Sequence, residues 1–254
     1  MKFLKMHNSL ILYRIFELFE NVIAFTTTRN TFVENNAPRF TGNSSKKPDE
    51  NREKLADILG IQSDRLVFPR QTHTSCVAEI YGLPEEELQE TDALVTNRPG
   101  ICLCVQTADC VPILLFDPKQ KVVAAIHAGW RGTVKKIAGE SIEKMKTGYH
   151  SRAENIFAAV GPSISPDVYE VGDEVVKAVQ KNIPNSGKTL HQNNSGKFHF
   201  NLWEANRQIL LECGLIPENI EILAECTFQN KEKYYSARRQ GIETGRLVSG
   251  IMLV

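Results

Sequence analysis

The chain has 254 residues, 42% of them hydrophobic and 24% charged, a composition that excludes a fibrous or intrinsically disordered protein. Thirty basic residues balance thirty acidic ones, so no net charge draws the protein toward nucleic acid or an anionic membrane. Six cysteines with no CxxC pair argue against a structural zinc knuckle and point to free thiols or ligands of another metal site. The opening segment, MKFLKMHNSLILYRIFELFENVIAF, is apolar but broken by Arg14, Glu17 and Glu20. It has neither the length of a clean membrane span nor a small-residue cleavage site, and the protein is expected to be cytoplasmic.

Short β-branched or apolar runs predict strands over residues 22–28, 65–69, 76–80, 93–96, 101–107, 111–116, 122–127, 156–160, 220–225 and 247–254. Polar stretches at 35–51 and 182–197 predict surface loops. Helices are predicted after Gly132, where Val134, Ile137, Ile142 and Met145 share a face, and over 166–183 and 202–213, the last stopping at Gly214. Strands outnumber helices and cluster. This predicts an α+β fold, a layered α/β sandwich with mixed sheets, rather than strict βαβ alternation. There is no internal repeat, and neither polar loop separates two self-sufficient halves, so residues 1–254 read as one domain.

Three segments place ligand-type residues where apolar ones belong. PRQTHTSCV carries His73, CVQTADCVPILLFD carries Asp109 and Cys110, and VVAAIHAGWRGT ends an apolar strand on His127. A lone His at a strand end is ordinarily structural, and a Cys in an apolar run is ordinarily a small hydrophobe. Their conjunction is different: His73, Cys110 and His127 are the ligands of a Cys/His₂ zinc site with an open fourth position. Beyond His127, Gly129 and Gly132 flank Trp130 and Arg131 at the start of a predicted helix. That setting suits an anion such as phosphate, or is simply a glycine turn with an exposed Arg.

The blocks TADCVPILLFD, AAIHAGWRGT, GPSISPDVYEVG and ECTFQNKEKYYSARRQGIETGR resemble the motifs of the YfiH family, also called the laccase-domain family, from about residue 71 to the end of the chain. The resemblance implies an α/β sandwich similar to the cytotoxic-necrotizing-factor-like hydrolase fold, and metal ligation by His73, Cys110 and His127. It implies phosphorolysis of adenosine, inosine, guanosine or methylthioadenosine, with adenosine deamination as a second reaction. Copper-dependent polyphenol oxidation and a cysteine-dependent amidase that edits peptidoglycan precursors are alternatives attached to the same family. The chain departs from the family where Arg29 is followed by NTFVENNAPRFTGN, which puts any role for Asn43 in doubt, and at Ser163 and Asn201, where Cys and Asp are frequent.

With purine nucleoside and phosphate as small-molecule partners, roles follow. Zinc would serve adenosine deamination by lowering the pKa of a water to about 7. Asp109 is either the proton shuttle or an anchor of the backbone, since neighbouring residues on a strand face opposite ways unless the chain bends there. Arg131 is expected to hold phosphate, with Arg52 and Arg238 behind it. Phe228, Tyr234 and Tyr235 either stack a purine or pack in the core. In the amidase alternative Cys110 is the nucleophile and His127 its base. Copper chemistry of the multicopper type calls for more histidines than the six present. The assembly is expected to be a monomer or homodimer.

Overall fold

The computed structural model describes residues 10–32, 37–41 and 48–254. Strand β7 (Val111–Asp117) shows how the layers arise. Successive side chains point to opposite faces, so Val111, Ile113 and Leu115 join one buried cluster while Leu114 and Phe116 join another. β7 lies inside a six-stranded sheet of order β13 (Ile220–Ile222), β9 (Phe157–Val160), β7, β8 (Val122–Ala128), β5 (Ala93–Thr96) and β4 (Val77–Glu79). Its inner pairs are antiparallel and its two edge pairs, β13 with β9 and β4 with β5, are parallel.

One face of this sheet is covered by α3 (Ile137–Tyr149), α4 (Asp173–Asn182) and α5 (Leu202–Glu212), through Ile142, Met145, Val179, Ala205 and Ile209. The other face meets a five-stranded sheet of order β1 (Leu10–Leu12), β2 (Val22–Thr27), β14 (Leu247–Leu253), β6 (Cys102–Thr107) and β3 (Leu66–Val67). There Leu114, Phe116 and Val123 pack on Leu103, Val105 and Ile251. Burying each such side chain contributes about 1.5–3 kcal/mol. The outer face of the second sheet, with Phe25, Cys104 and Val248, is closed by Leu55, Ala56 and Leu59 of α1 (Pro48–Leu59). The layers therefore run helix, sheet, sheet, helix: the α/β sandwich with mixed sheets that the strand clustering predicts.

Local differences have local causes. The helix expected from residue 166 begins only at Asp173, because Glu170 and Val171 form strand β10 against β12 (Phe198–Phe200). Strand β11 (Leu190–Gln192) pairs with the other side of β12, inside a stretch expected to be loop. β1 and α1 were not expected; α1 begins within the stretch assigned to the 35–51 loop. The helix after Gly132 is divided into α2 (Trp130–Val134) and α3 by Lys136, whose φ of 57° no α-helix accommodates. Gly214 ends α5 as expected, with φ of 99°. Asn201 caps the start of α5 by accepting the Glu204 N–H, the same service an Asp performs. Ser163 is buried and accepts the indole N–H of Trp203.

Candidate metal centre and nucleoside site

The site forms at one end of the sandwich, where β6 turns into β7 and where β8 and β5 meet. His127 is the next-to-last residue of β8 and falls on the face that carries Val123 and Ala125, between the two sheets. Its backbone N–H donates to Asp92 O at 2.8 Å, extending the β5–β8 ladder by one rung. That places the Asp92 carboxylate against the imidazole: His127 Nδ1 lies 2.7 Å from Asp92 Oδ1. With the Nδ1 proton directed to the carboxylate, Nε2 is left as the metal-facing lone pair.

Asp92 does more than orient His127. Its two oxygens also accept the backbone N–H groups of Thr72, His73 and Thr74 at 3.1, 3.0 and 2.8 Å, and the Thr74 hydroxyl at 2.8 Å. The 72–74 segment therefore wraps around one buried carboxylate, with His73 held at φ 63° in the left-handed region. Upstream, the Gln71 amide accepts from Gln106 N at 2.7 Å and donates to Gln106 O at 2.8 Å, standing in for a paired strand beside β6. Burial would raise the Asp92 pKa, but the hydrogen bond and charge of His127 and the Thr74 donors outweigh it and hold the carboxyl far below its usual range.

Cys110 sits at the end of the turn linking β6 to β7. The bend there is at Asp109, whose φ is 91°. The Cys110 Sγ lies 3.8 Å from His73 Nε2, and the His73 and His127 rings meet edge-on with centroids 4.9 Å apart. One ligand atom from each of His73, Cys110 and His127 lies within 4.8 Å of the others. Zinc–ligand bond lengths in a tetrahedron put such atoms about 3.3–3.6 Å apart, so small side-chain adjustments suffice to hold one ion. A borderline-soft donor set of two imidazoles and one thiolate suits zinc or copper. Burial alone would raise the Cys110 thiol; the charge and hydrogen bond of His127, helped by His73, bring it down to about 6. The same partnership, with Asp92, pushes His127 up to about 9 despite its burial. Gly129 makes room for all this: a Cβ there would stand 2.9 Å from His73 Cδ2 and 3.0 Å from Cys110 Sγ.

The other residues singled out in the sequence fall at different distances from this centre. The Asp109 side chain turns away from Cys110 toward the C-terminal segment, where its oxygens accept the Thr227 hydroxyl at 2.6 Å, the Ser236 hydroxyl at 3.0 Å and the Arg238 N–H at 2.7 Å. This brings Arg238 to the site; its guanidinium bonds to Glu170 O and lies over the Tyr169 ring at 5.2 Å. Arg131 is half exposed, lies over Trp130 at 4.3 Å and stands 3.6 Å from Glu174. Arg52 donates to Phe40 O at 2.7 Å, lies over Phe68, and lines an open groove of about 960 Å³ whose walls include none of the three ligands. Tyr234 and Tyr235 are buried, Tyr234 donating to Glu225 at 2.6 Å, and Phe228 packs against the helix-side core. Asn43 lies outside the described residues.

Two features, Asp92 and Tyr169, were not singled out in the sequence. The need of a metal-binding imidazole for a carboxylate partner points to a buried acid, and TDALVT offers Asp92 at the head of an apolar strand. The position of Tyr169, which feels the charges of Cys110, Asp109 and Arg131, had no local signal, whereas Gly129, named in the sequence, is a point of close approach.

Residues 24–254 match the family described as multi-copper polyphenol oxidoreductase laccase. A purine nucleoside phosphorylase from Bacteroides thetaiotaomicron is 36% identical over 95% of both chains. Adenosine deaminase RL5, from an unknown prokaryotic organism, is 41% identical over 91% of this chain and 94% of its own. Among solved structures, the YfiH protein of Bacillus licheniformis superposes with a TM-score of 0.87 at 29% identity, over 97% of both chains. YlmD from Geobacillus stearothermophilus also gives 0.87, at 28% identity over 97% of both. The chain belongs to this laccase-like family, of which YfiH and YlmD are structural neighbours.

Proposed function

We propose that the protein is a zinc-dependent purine nucleoside phosphorylase, with adenosine deamination as a second reaction at the same centre. The observation that carries this is the convergence of His73, Cys110 and His127 on one point, with the single carboxylate of Asp92 fixing both histidines. The relatives named as purine nucleoside phosphorylases and as an adenosine deaminase support it.

When bound, zinc would supply Lewis acidity to the reacting nucleoside or activate a water beside it. The protein's own groups supply the rest. Asp92 holds the Nδ1–H of His127, fixing the ring so that Nε2 is the nitrogen offered to a metal, and makes that nitrogen more basic. His73 is exposed and Cys110 half-buried, so a substrate could reach the three ligand atoms from solvent. In phosphorolysis a phosphate oxygen bonds to C1′ as the C1′–N9 bond breaks. The purine leaves with the electron pair and takes up a proton. Tyr169 and Arg238, facing each other across 5.2 Å, form a wall against which substrate is oriented. We assign Asp109 a positioning role, because its oxygens already serve three donors. Six free thiols accord with a cytoplasmic setting.

A second reading, a cysteine-dependent amidase, is favoured by the lowered Cys110 thiol beside a raised His127. The copper oxidase named in the family description has less support, since among the described residues the triad is the one three-membered cluster of His, Cys, Asp or Glu able to hold an ion.

The test is to incubate zinc-loaded protein with adenosine, with and without phosphate, beside Cys110→Ala. Adenine and ribose 1-phosphate formed only with phosphate and only with Cys110 present is the expected result. Inosine formed irrespective of phosphate would make the protein chiefly a deaminase. Absence of both products would move the assignment to the amidase.

A further inference from the structure

We propose that Arg39 and Arg246, rather than Arg131, form the subsite that takes the phosphate dianion; this rests on the phosphorylase reading above. The fold brings the two together beside the metal centre. Leu247 at the start of β14 pairs with Thr107 at the end of β6, so Arg246 continues the strand opposite Ala108, two residues before Cys110. The Arg246 N–H donates to Pro38 O at 3.0 Å and so fastens the segment 38–40 to this sheet end. The same segment is held from two other sides. Phe40 N donates to Gln106 Oε1 at 3.0 Å, while Asn51 and Arg52 of α1 donate to the carbonyls of Arg39 and Phe40 at 2.8 and 2.7 Å.

The outcome is two guanidinium groups meeting at one carbonyl. Arg39 donates to Ile242 O at 2.7 Å and Arg246 donates to the same oxygen at 2.9 Å, with further bonds from Arg246 to Thr244 O and Gly245 O. Among the described residues every hydrogen bond of these two groups goes to a backbone carbonyl, and none to a carboxylate. Two guanidinium groups are thus gathered beside a single carboxylate, that of Glu243, whose charge acts on both, and the pair keeps a net positive charge. One carboxylate does not balance two guanidinium groups, and like charges held together in a part-buried setting favour a further anion. Burial, and for Arg246 the charge of Arg39, depress both groups, Arg246 to about 10, while the Glu243 charge acts on both in the opposite sense, as do the Cys110 and Asp109 charges on Arg246. That coupling is expected of a pair standing at the metal site. The planar forks suit a tetrahedral oxyanion bound by two hydrogen bonds from each side. Arg131 lacks this convergence: it is half exposed, and a carboxylate stands 3.6 Å away.

The experiment uses the zinc-loaded full chain with Arg39→Gln, Arg246→Lys and Arg131→Ala, each checked for zinc content and circular dichroism. KM is measured separately for phosphate and for nucleoside, and thermal stabilisation by inorganic phosphate is recorded without nucleoside. The expected result is a rise of tenfold or more in the phosphate KM for Arg39→Gln and Arg246→Lys, nucleoside KM within about twofold, and loss of the phosphate-induced thermal shift. A phosphate KM raised only in Arg131→Ala overturns the proposal, as does an unchanged KM in both subsite variants. If the parent protein releases no base with phosphate, the phosphorylase reading fails on its own. The thermal shift then decides the subsite: present in the parent and lost in Arg39→Gln supports it, absent in the parent overturns it.

Discussion

A single oxygen of Asp92 bonds both histidines of the candidate metal centre: Oδ1 lies 2.7 Å from His127 Nδ1 and accepts the His73 N–H at 3.0 Å. The distance between two ligands that are 54 residues apart in the chain is thereby set by one carboxylate that no solvent reaches. Asp92→Asn keeps the volume but gives up one acceptor and the charge. Its amide N–H₂ must face either the backbone donors of 72–74 or the imidazole N–H. We expect zinc affinity, measured by competition with a chromophoric chelator, to fall about 10–100-fold. We also expect the metal-free variant to lose about 3–5 kcal/mol in urea unfolding, as for a broken buried charge pair. A variant that binds zinc with parental affinity would show that Asp92 is only a packing residue.

The same residue fixes the pH dependence of the metal-free fold. Asp92 is held below the range of a free carboxyl, so the unfolded chain takes up its proton first as the solution is acidified. Its stabilisation is complete above about pH 4 and drains away below it. His127, raised to about 9, works in the opposite sense: its contribution is complete below about pH 6.5 and is lost as pH rises through about 9. Urea midpoints of the metal-free protein should therefore fall on both sides. Asp92→Asn should flatten the acid limb between about pH 5 and pH 3. Parallel acid limbs for parent and variant would contradict this assignment.

How much of this was legible beforehand depends on the range over which each signal acts. β5, β7, β8 and β14 were readable because continuous apolar runs mark strands buried on both faces. The three ligands stood out for the same reason, as polar residues at the ends of apolar strands. The short strands β10 and β11 were not readable: their pairing to β12 is decided by contacts with a strand up to 29 residues away, and Glu170–Val171 looks locally like the first turn of a helix. Asp92 was missed because one Asp before a strand is an ordinary turn residue until the fold delivers His127 and 72–74 to it. The Arg39–Arg246 meeting depends on residues 207 apart and leaves no local trace.

Cys110 reactivity separates the metal enzyme from the amidase. In metal-free protein, alkylation of Cys110 by iodoacetamide, followed by peptide mass mapping to distinguish it from exposed Cys76, should rise with a midpoint near the lowered thiol value of about 6. Zinc should abolish it by engaging the sulfur. Undiminished alkylation in zinc-loaded protein would favour a free nucleophile and the amidase.

Gly129 offers a change confined to the site. A methyl there meets the His73 ring at 2.9 Å and the Cys110 sulfur at 3.0 Å, so two of the three ligands must shift by a few tenths of an ångström. Its backbone lies at the ordinary extended φ of −71°, so no conformational strain is added. Gly129→Ala is expected to weaken zinc binding at least tenfold while moving the metal-free unfolding midpoint little. A loss of stability with zinc affinity intact would place the constraint in the fold instead.

Asp109 supplies the last discrimination, between a group that moves protons and one that holds the site in shape. The bend at φ 91° is what lets neighbouring residues serve different partners: Cys110 faces the histidines while the Asp109 carboxylate gathers Thr227, Ser236 and the Arg238 N–H. An amide in its place has one accepting oxygen, and its N–H₂ opposes the Arg238 N–H or competes for a hydroxyl. If Asp109 holds the site, Asp109→Asn should lower thermal stability and zinc affinity together, and raise the nucleoside KM as Arg238 and Tyr169 drift apart. If it is the proton shuttle, zinc content and melting temperature should match the parent while kcat alone collapses by about 10²–10⁴-fold. Three hydrogen bonds on one carboxylate, all from the same C-terminal segment, make the first outcome the expected one.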